Sequence, residues 1–148
     1  MRVLLAIDGS KFSEAAVTAL TSLAKTQGTQ VLVLEVVEPR TFSTPPQMSP
    51  GYVPEQDEFL KEQIGQAEKS VDRTSDLLLR AGFGVDTRVV EGEIRTGILD
   101  IAAEWHADLI VLGSHGRRGL QRFLLGSVAD SVARNARCSV LIVRISAN

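Results

Sequence analysis

The stretch Leu109-Ile110-Val111-Leu112-Gly113-Ser114-His115-Gly116 passes from an unbroken apolar run into a glycine-spaced loop, and after a nine-residue gap Gly126-Ser127-Val128 opens a helix-like segment. A strand, a glycine loop and a helix start, in that order, present backbone N–H groups that suit a phosphate chain. Glycine at the close points leaves no Cβ in the ligand's way. The stretch predicts an adenine-nucleotide-binding domain. It also fixes the local order strand, loop, helix.

Outward from that point the same alternation runs along the chain. Val3–Ile7 is a continuous apolar run that ends at Asp8-Gly9-Ser10. Phe12, Ala15, Ala16, Ala19, Leu20, Leu23 and Ala24 then recur at helical spacing up to Gly28, and Val31–Val37 reads as a second buried strand. All five prolines fall between Pro39 and Pro54, which predicts an irregular loop there. A helical stripe of Leu60, Ile64, Ala67, Val71 and Leu78 crosses Glu55–Ala81, and Gly82-Phe83-Gly84 closes it. Val85–Val90 alternates in part, as an edge strand does. Ile98, Ile101, Ala102 and Trp105 share one side of a third helix, Ile94–Trp105. Ser127 with Asp130 three residues on predicts a capping box for a fourth helix, and Cys138–Ile145 is a fifth strand. Buried strands separated by helices predict a parallel sheet covered on both faces. Ligands of such sheets bind beyond the carboxyl ends of the strands, where strand order reverses. Here those ends carry Asp8, Val36-Val37 and Gly113.

With 148 residues, 44% apolar and 23% charged, the chain has the size and make-up of one globular domain, read as 1–148. A net charge of −2 gives no reason to expect nucleic acid or a membrane surface as partner. The single cysteine, Cys138, excludes a disulfide framework and a thiolate metal cluster. Met1-Arg2-Val3 enters a strand without a signal-peptide layout, and no apolar run nears the ~20 residues of a membrane span. The expectation is a cytoplasmic protein.

The residues so assembled resemble the universal stress protein family, over essentially the whole chain. The family's nucleotide-binding branch carries Gly, two residues, Gly, nine residues, then Gly and Ser or Thr. Gly113, Gly116, Gly126 and Ser127 match that pattern with the gap Arg117–Leu125 intact. Val3-Leu4-Leu5-Ala6-Ile7-Asp8-Gly9-Ser10, Asp108–Gly116 and Ser139–Val143 are similar to its first, fourth and fifth strands. The resemblance implies an open five-stranded parallel sheet in the order 3-2-1-4-5, helices on both faces, Rossmann-like, and commonly a homodimer. It implies ATP with Asp8 near the ribose, strand-end backbone at Ala6 and Val36 framing the adenine, and Leu112 and Gly113 beside the nucleoside. Gly116, Gly126, Ser127 and Val128 would hold the phosphates, with Mg²⁺ on them. In that order the fifth strand is an edge, which predicts pairing with its copy in a second chain.

Each candidate also has a plainer reading. The glycines punctuate turns; Asp8 caps the first helix, a task open equally to Ser10. Ser127 can cap a helix and still donate to phosphate. His115 is a general base only with a positioned substrate and an orienting partner, and the sequence shows no partner, so a loop role is the stronger reading. Arg117, Arg118 and Arg122 are either solvated loop charges or phosphate contacts. Cys138 and Trp105 read as core, and His106 as surface. Three functions remain: an ATP-holding stress-response module acting on a protein partner, which is favoured; a slow ATPase or phosphotransferase; and a nucleotide-free dimeric interaction protein. No Gly-x-Gly-x-x-Gly opens a helix and no Gly-Lys-Ser/Thr is present, which excludes the dinucleotide and P-loop fingerprints.

Overall fold

The computed structural model describes residues 1–23, 27–40, 54–117 and 124–145. Five strands alternate with four helices: β1 (Arg2–Ala6), α1 (Lys11–Ser22), β2 (Gln30–Val37), α2 (Pro54–Arg80), β3 (Gly84–Glu91), α3 (Ile94–Glu104), β4 (Leu109–Gly113), α4 (Ser127–Asn135) and β5 (Ser139–Val143). All neighbouring strands pair in parallel, in the order β3-β2-β1-β4-β5. The expected sheet and its edge strands are both present. Of the expected loop Pro39–Pro54, residues 41–53 lie outside the described residues, as do Ala24, Arg118 and Arg122, and Pro54 already begins α2.

Strand periodicity sorts the core into two layers. Val3, Leu5, Val31, Val33 and Val111 point to the face covered by Ala16 and Leu20 of α1 and by Val71 and Leu78 of α2. Leu4, Ala6, Leu32, Leu34, Ile110 and Leu112 point to the other face, under Ile98 and Ala102 of α3 and Ala129 and Val132 of α4. Right-handed crossovers require this segregation. The chain winds from β1 toward β3 with its helices on one face, then returns past β1 to β4 with its helices on the other. Strand order therefore reverses between β1 and β4, and the loops after those two strands diverge there.

Helix starts follow local chemistry. Ser10 caps α1, its hydroxyl accepting from Ser13 N, and Glu93 caps α3, its carboxylate accepting from Thr96 N. α4 departs from the expected capping box. Its N-cap is Gly126, with no side-chain cap; Ser127 is already the first helical residue, and Asp130 pairs instead with Arg134 at 3.0 Å. The reason is the pull of the preceding loop: Gly126 N donates to Ser114 O at 2.8 Å, which sets the helix start one residue earlier.

Candidate functional site

The loop after β4 is pinned at several points. Ser114 N donates to Val143 O at 2.8 Å, and the Ser114 hydroxyl lies 3.0 Å from His115 Nδ1. Arg117 N donates to Asp8 Oδ2 at 3.1 Å, and Gly126 N closes the loop onto Ser114. Asp8 therefore clasps two loops: Oδ1 accepts from Ser10 N at 2.9 Å and Oδ2 from Arg117 N. Of the two candidates for capping α1, Ser10 performs it. Asp8 instead joins the turn after β1 to the loop after β4, across the place where strand order reverses.

The glycines have a geometric reason within the chain itself. A Cβ on Gly113 would lie 2.7 Å from the backbone C and O of Phe12, so α1 can approach β4 only because that side chain is missing. A Cβ on Gly126 would lie 3.0 Å from Ser114 O and 3.1 Å from His115 Cα. Gly126 has φ −61°, so its requirement is close approach and not a left-handed backbone. Gly116 sits against the Asp8 carboxylate.

These contacts bring most of the expected site residues to one end of the sheet. Ala6 and Leu112 are buried at the ends of β1 and β4, beside Gly113. Val36, near the end of β2, packs against α3 at Gly97, where a Cβ would come within 3.0 Å of it. Ser127 is exposed and Val128 half-buried in the first turn of α4. The first N–H groups of that helix have no intrahelical acceptor, and among the described residues no side-chain cap is present. α1 and α3 spend theirs on Ser10 and Glu93. The α4 N-terminus is left with donors and a positive dipole end, directed at the reversal point.

His115 packs against the Phe12 ring in a tilted arrangement, with centroids 5.1 Å apart and planes at 46°, and its Nε2 is buried without a partner among the described residues. Its one described polar contact is the Ser114 hydroxyl, not a carboxylate. Cys138 is half-buried just before β5, and desolvation pushes its thiol pKa up, away from nucleophilic character. Among the described residues no group of three or more His, Cys, Asp or Glu side chains could hold a metal, and no helix is long and apolar enough to cross a membrane.

Sequence reasoning overlooked Glu35. This carboxylate sits in the apolar run of β2 and is 4% exposed, with Arg117 Nη2 3.4 Å from its Oε1. The clue was available: a single charge where Val31–Val37 is otherwise wholly apolar. Arg117 was expected at phosphate. Its Nε donates to the backbone oxygen of Asp8, and its guanidinium reaches β2.

An open parallel sheet whose winding reverses at β1 and β4, with a pinned glycine loop and an uncapped helix at that point, defines a doubly wound α/β protein with its crevice at the reversal. The sequence profile of the Universal stress protein family matches residues 1–144. Universal stress protein YxiE of Bacillus subtilis is 35% identical over 145 residues, covering 97% of this chain and 98% of that one. The chain belongs to the universal stress protein family. Among solved structures, universal stress protein UspA from Lactobacillus plantarum superposes with a TM-score of 0.82 at 25% identity, over 97% of each chain. A universal stress protein solved in complex with cAMP gives 0.72 at 25% identity, over 99% of this chain and 98% of that one.

Proposed function

We propose that this protein binds ATP at the β1–β4 reversal and works as a nucleotide-dependent stress-response module. The observation that carries the proposal is the uncapped N-terminus of α4, set against the loop Gly113–Arg117. Those free donors and the helix dipole favour a polyanion. The relative solved with cAMP, itself an adenine nucleotide, supports the ligand class.

In this reading Ser127, Val128 and Gly116 hold the phosphates, with Gly126 keeping their approach open. Asp8 retains acceptor capacity for a ribose hydroxyl beside its two clasp bonds. Backbone at Ala6 and Val36 frames the adenine, with Leu112 and Gly113 beside the nucleoside. Mg²⁺ enters on the phosphates and neutralises their charge. Turnover is slow, because no described carboxylate orients His115 as a base.

The fifth strand is the second element of the proposal. β5 is an edge, and Val140 to Val143 remain only half-buried. Pairing with the same strand of a second copy about a two-fold axis would satisfy both edges.

Calorimetric titration of Mg-ATP into purified protein tests the site. Wild type should bind, and Gly126→Val should bind far more weakly, because its side chain pushes Ser114 and His115 out of place. No heat at millimolar ATP, with no nucleotide released on denaturation, would refute the reading. Turnover of ~1 s⁻¹ or more that is lost in His115→Ala would replace the module with an enzyme.

A further inference from the structure

We propose that Glu35 is a positioning residue for the nucleotide site: through Arg117 it holds a cationic strap across the ends of β1 and β2, against the nucleoside. The inference rests on the ATP reading above and deepens it.

Alternation along β2 puts Val31, Val33 and Glu35 on the face covered by α1 and α2. Glu35 is buried there, with Val89 of β3 paired beside it and the Ser70 hydroxyl of α2 close to its carboxylate. One carboxylate oxygen meets Arg117; the other, Oε2, has no hydrogen-bond partner within reach among the described residues. A buried carboxylate with a single cation costs desolvation that one ion pair does not fully offset, and an apolar side chain would stabilise the strand better. Glu35 is therefore poorly explained by stability.

Its partner explains it. Arg117 follows Gly116 directly and is bound in three ways: main-chain N to Asp8 Oδ2, Nε to Asp8 O, and Nη2 to Glu35. The guanidinium passes over Gly9, 3.4 Å from where a Cβ would stand. One side chain thus links the loop after β4, the end of β1 and the end of β2. Asp8 alone would hold the loop. Nε on Asp8 O fixes one edge of the guanidinium, and Glu35 fixes the other at Nη2.

The charges around Glu35 give the latch a pH dependence. Desolvation, the largest influence, and the nearby Asp8 raise its pKa above 4.5, while Ser70 of α2 and Arg117 lower it. As pH falls toward 4.5, Glu35 takes up its proton before ordinary carboxylates do, and Arg117 is released. For stability the sign is opposite. A carboxyl with a raised folded pKa favours the fold below its unfolded pKa and loses that contribution as pH rises through the folded value. At neutral pH, Glu35→Gln should consequently leave the melting temperature unchanged or higher.

The test is Mg-ATP calorimetry on wild type, Glu35→Gln, Arg117→Ala and the double variant, from pH 5 to pH 8. Each single change should weaken ATP binding roughly tenfold at neutral pH, and the double variant should bind no worse than Arg117→Ala alone. Wild type should lose affinity toward acid pH more steeply than Glu35→Gln. Wild-type affinity in Glu35→Gln, or additive losses in the double variant, would overturn the strap while leaving the ATP site standing. No ATP binding by wild type would overturn both. Should Glu35→Gln fail to fold, Arg117→Ala decides, since that side chain is 60% exposed. That variant should bind ATP roughly tenfold more weakly than wild type, and wild-type affinity in it refutes the proposal.

Discussion

Replacing Gly113 by alanine asks whether the first glycine of the motif serves the ligand or the fold. The added methyl group would lie 2.7 Å from Phe12 C, Cβ and O, and two of those atoms are backbone. Ordinary contact begins near 3.4 Å, so the first turn of α1 must recede from β4 by about 0.7 Å, the difference between the two distances. No side-chain rotation relieves that clash. Overpacking of this kind costs about 1–3 kcal/mol, and at this chain length each kcal/mol moves the melting temperature by roughly 2–4 °C. Urea denaturation of Gly113→Ala should show a lower midpoint with an unchanged slope, because the surface exposed on unfolding is the same. Phe12 also carries the ring against which His115 packs, so a weaker ATP affinity should accompany the loss of stability. A variant as stable as wild type to within about 0.5 kcal/mol but unable to bind ATP would refute the packing argument. The glycine would then serve the ligand alone.

Glu93→Ala removes the side-chain cap of α3 and should cost about 1 kcal/mol in chemical denaturation. Arg95 and the Thr96 N–H hold the Glu93 carboxyl down at about 2, so its contribution is full above pH 4.5 and fades as pH falls toward 2; Glu93→Gln should flatten that part of the acid-unfolding curve. His106 is exposed with φ 53°, just past the end of α3, where Ala107 N returns to Ala102 O at 2.9 Å. His106→Gly should therefore stabilise the protein by roughly 0.5–1 kcal/mol, the left-handed strain less the entropy of glycine, and a lower melting temperature would contradict this. Val143 O accepts from Ser114 N, so Val143 and Leu141 direct their main-chain groups toward β4, whereas Val140 and Ile142 direct theirs outward. Ile142→Pro should convert a dimer to monomers in light scattering without unfolding it; an undisturbed dimer would exclude β5 pairing.

What was legible in the sequence follows from local rules. Val3–Ile7, Val31–Val37 and Leu109–Leu112 are apolar runs too short for helices, and the residues between them repeat at helical spacing, so strand and helix order is fixed by period alone. The family pattern of Gly113, Gly116, Gly126 and Ser127 supplied the sheet order that periodicity cannot, since strand adjacency depends on crossover paths and not on neighbours in sequence. Tertiary structure alone decided the rest. Ser127 looked like a cap because Asp130 stands three residues on, but a hydrogen bond from Gly126 to Ser114 moved the helix start and left the first turn of α4 uncapped. The need for glycine at 113 and 126 lies in the backbones of Phe12, Ser114 and His115, and Phe12 is 101 positions from Gly113 in the chain (113 − 12). Arg117 looked like a loop cation for phosphate. Its engagement with Asp8 and Glu35, 109 and 82 residues away, exists only because parallel strands bring their carboxyl ends to one edge of the sheet. A side chain's chemistry is written in its own residue, but its partner is chosen by the fold.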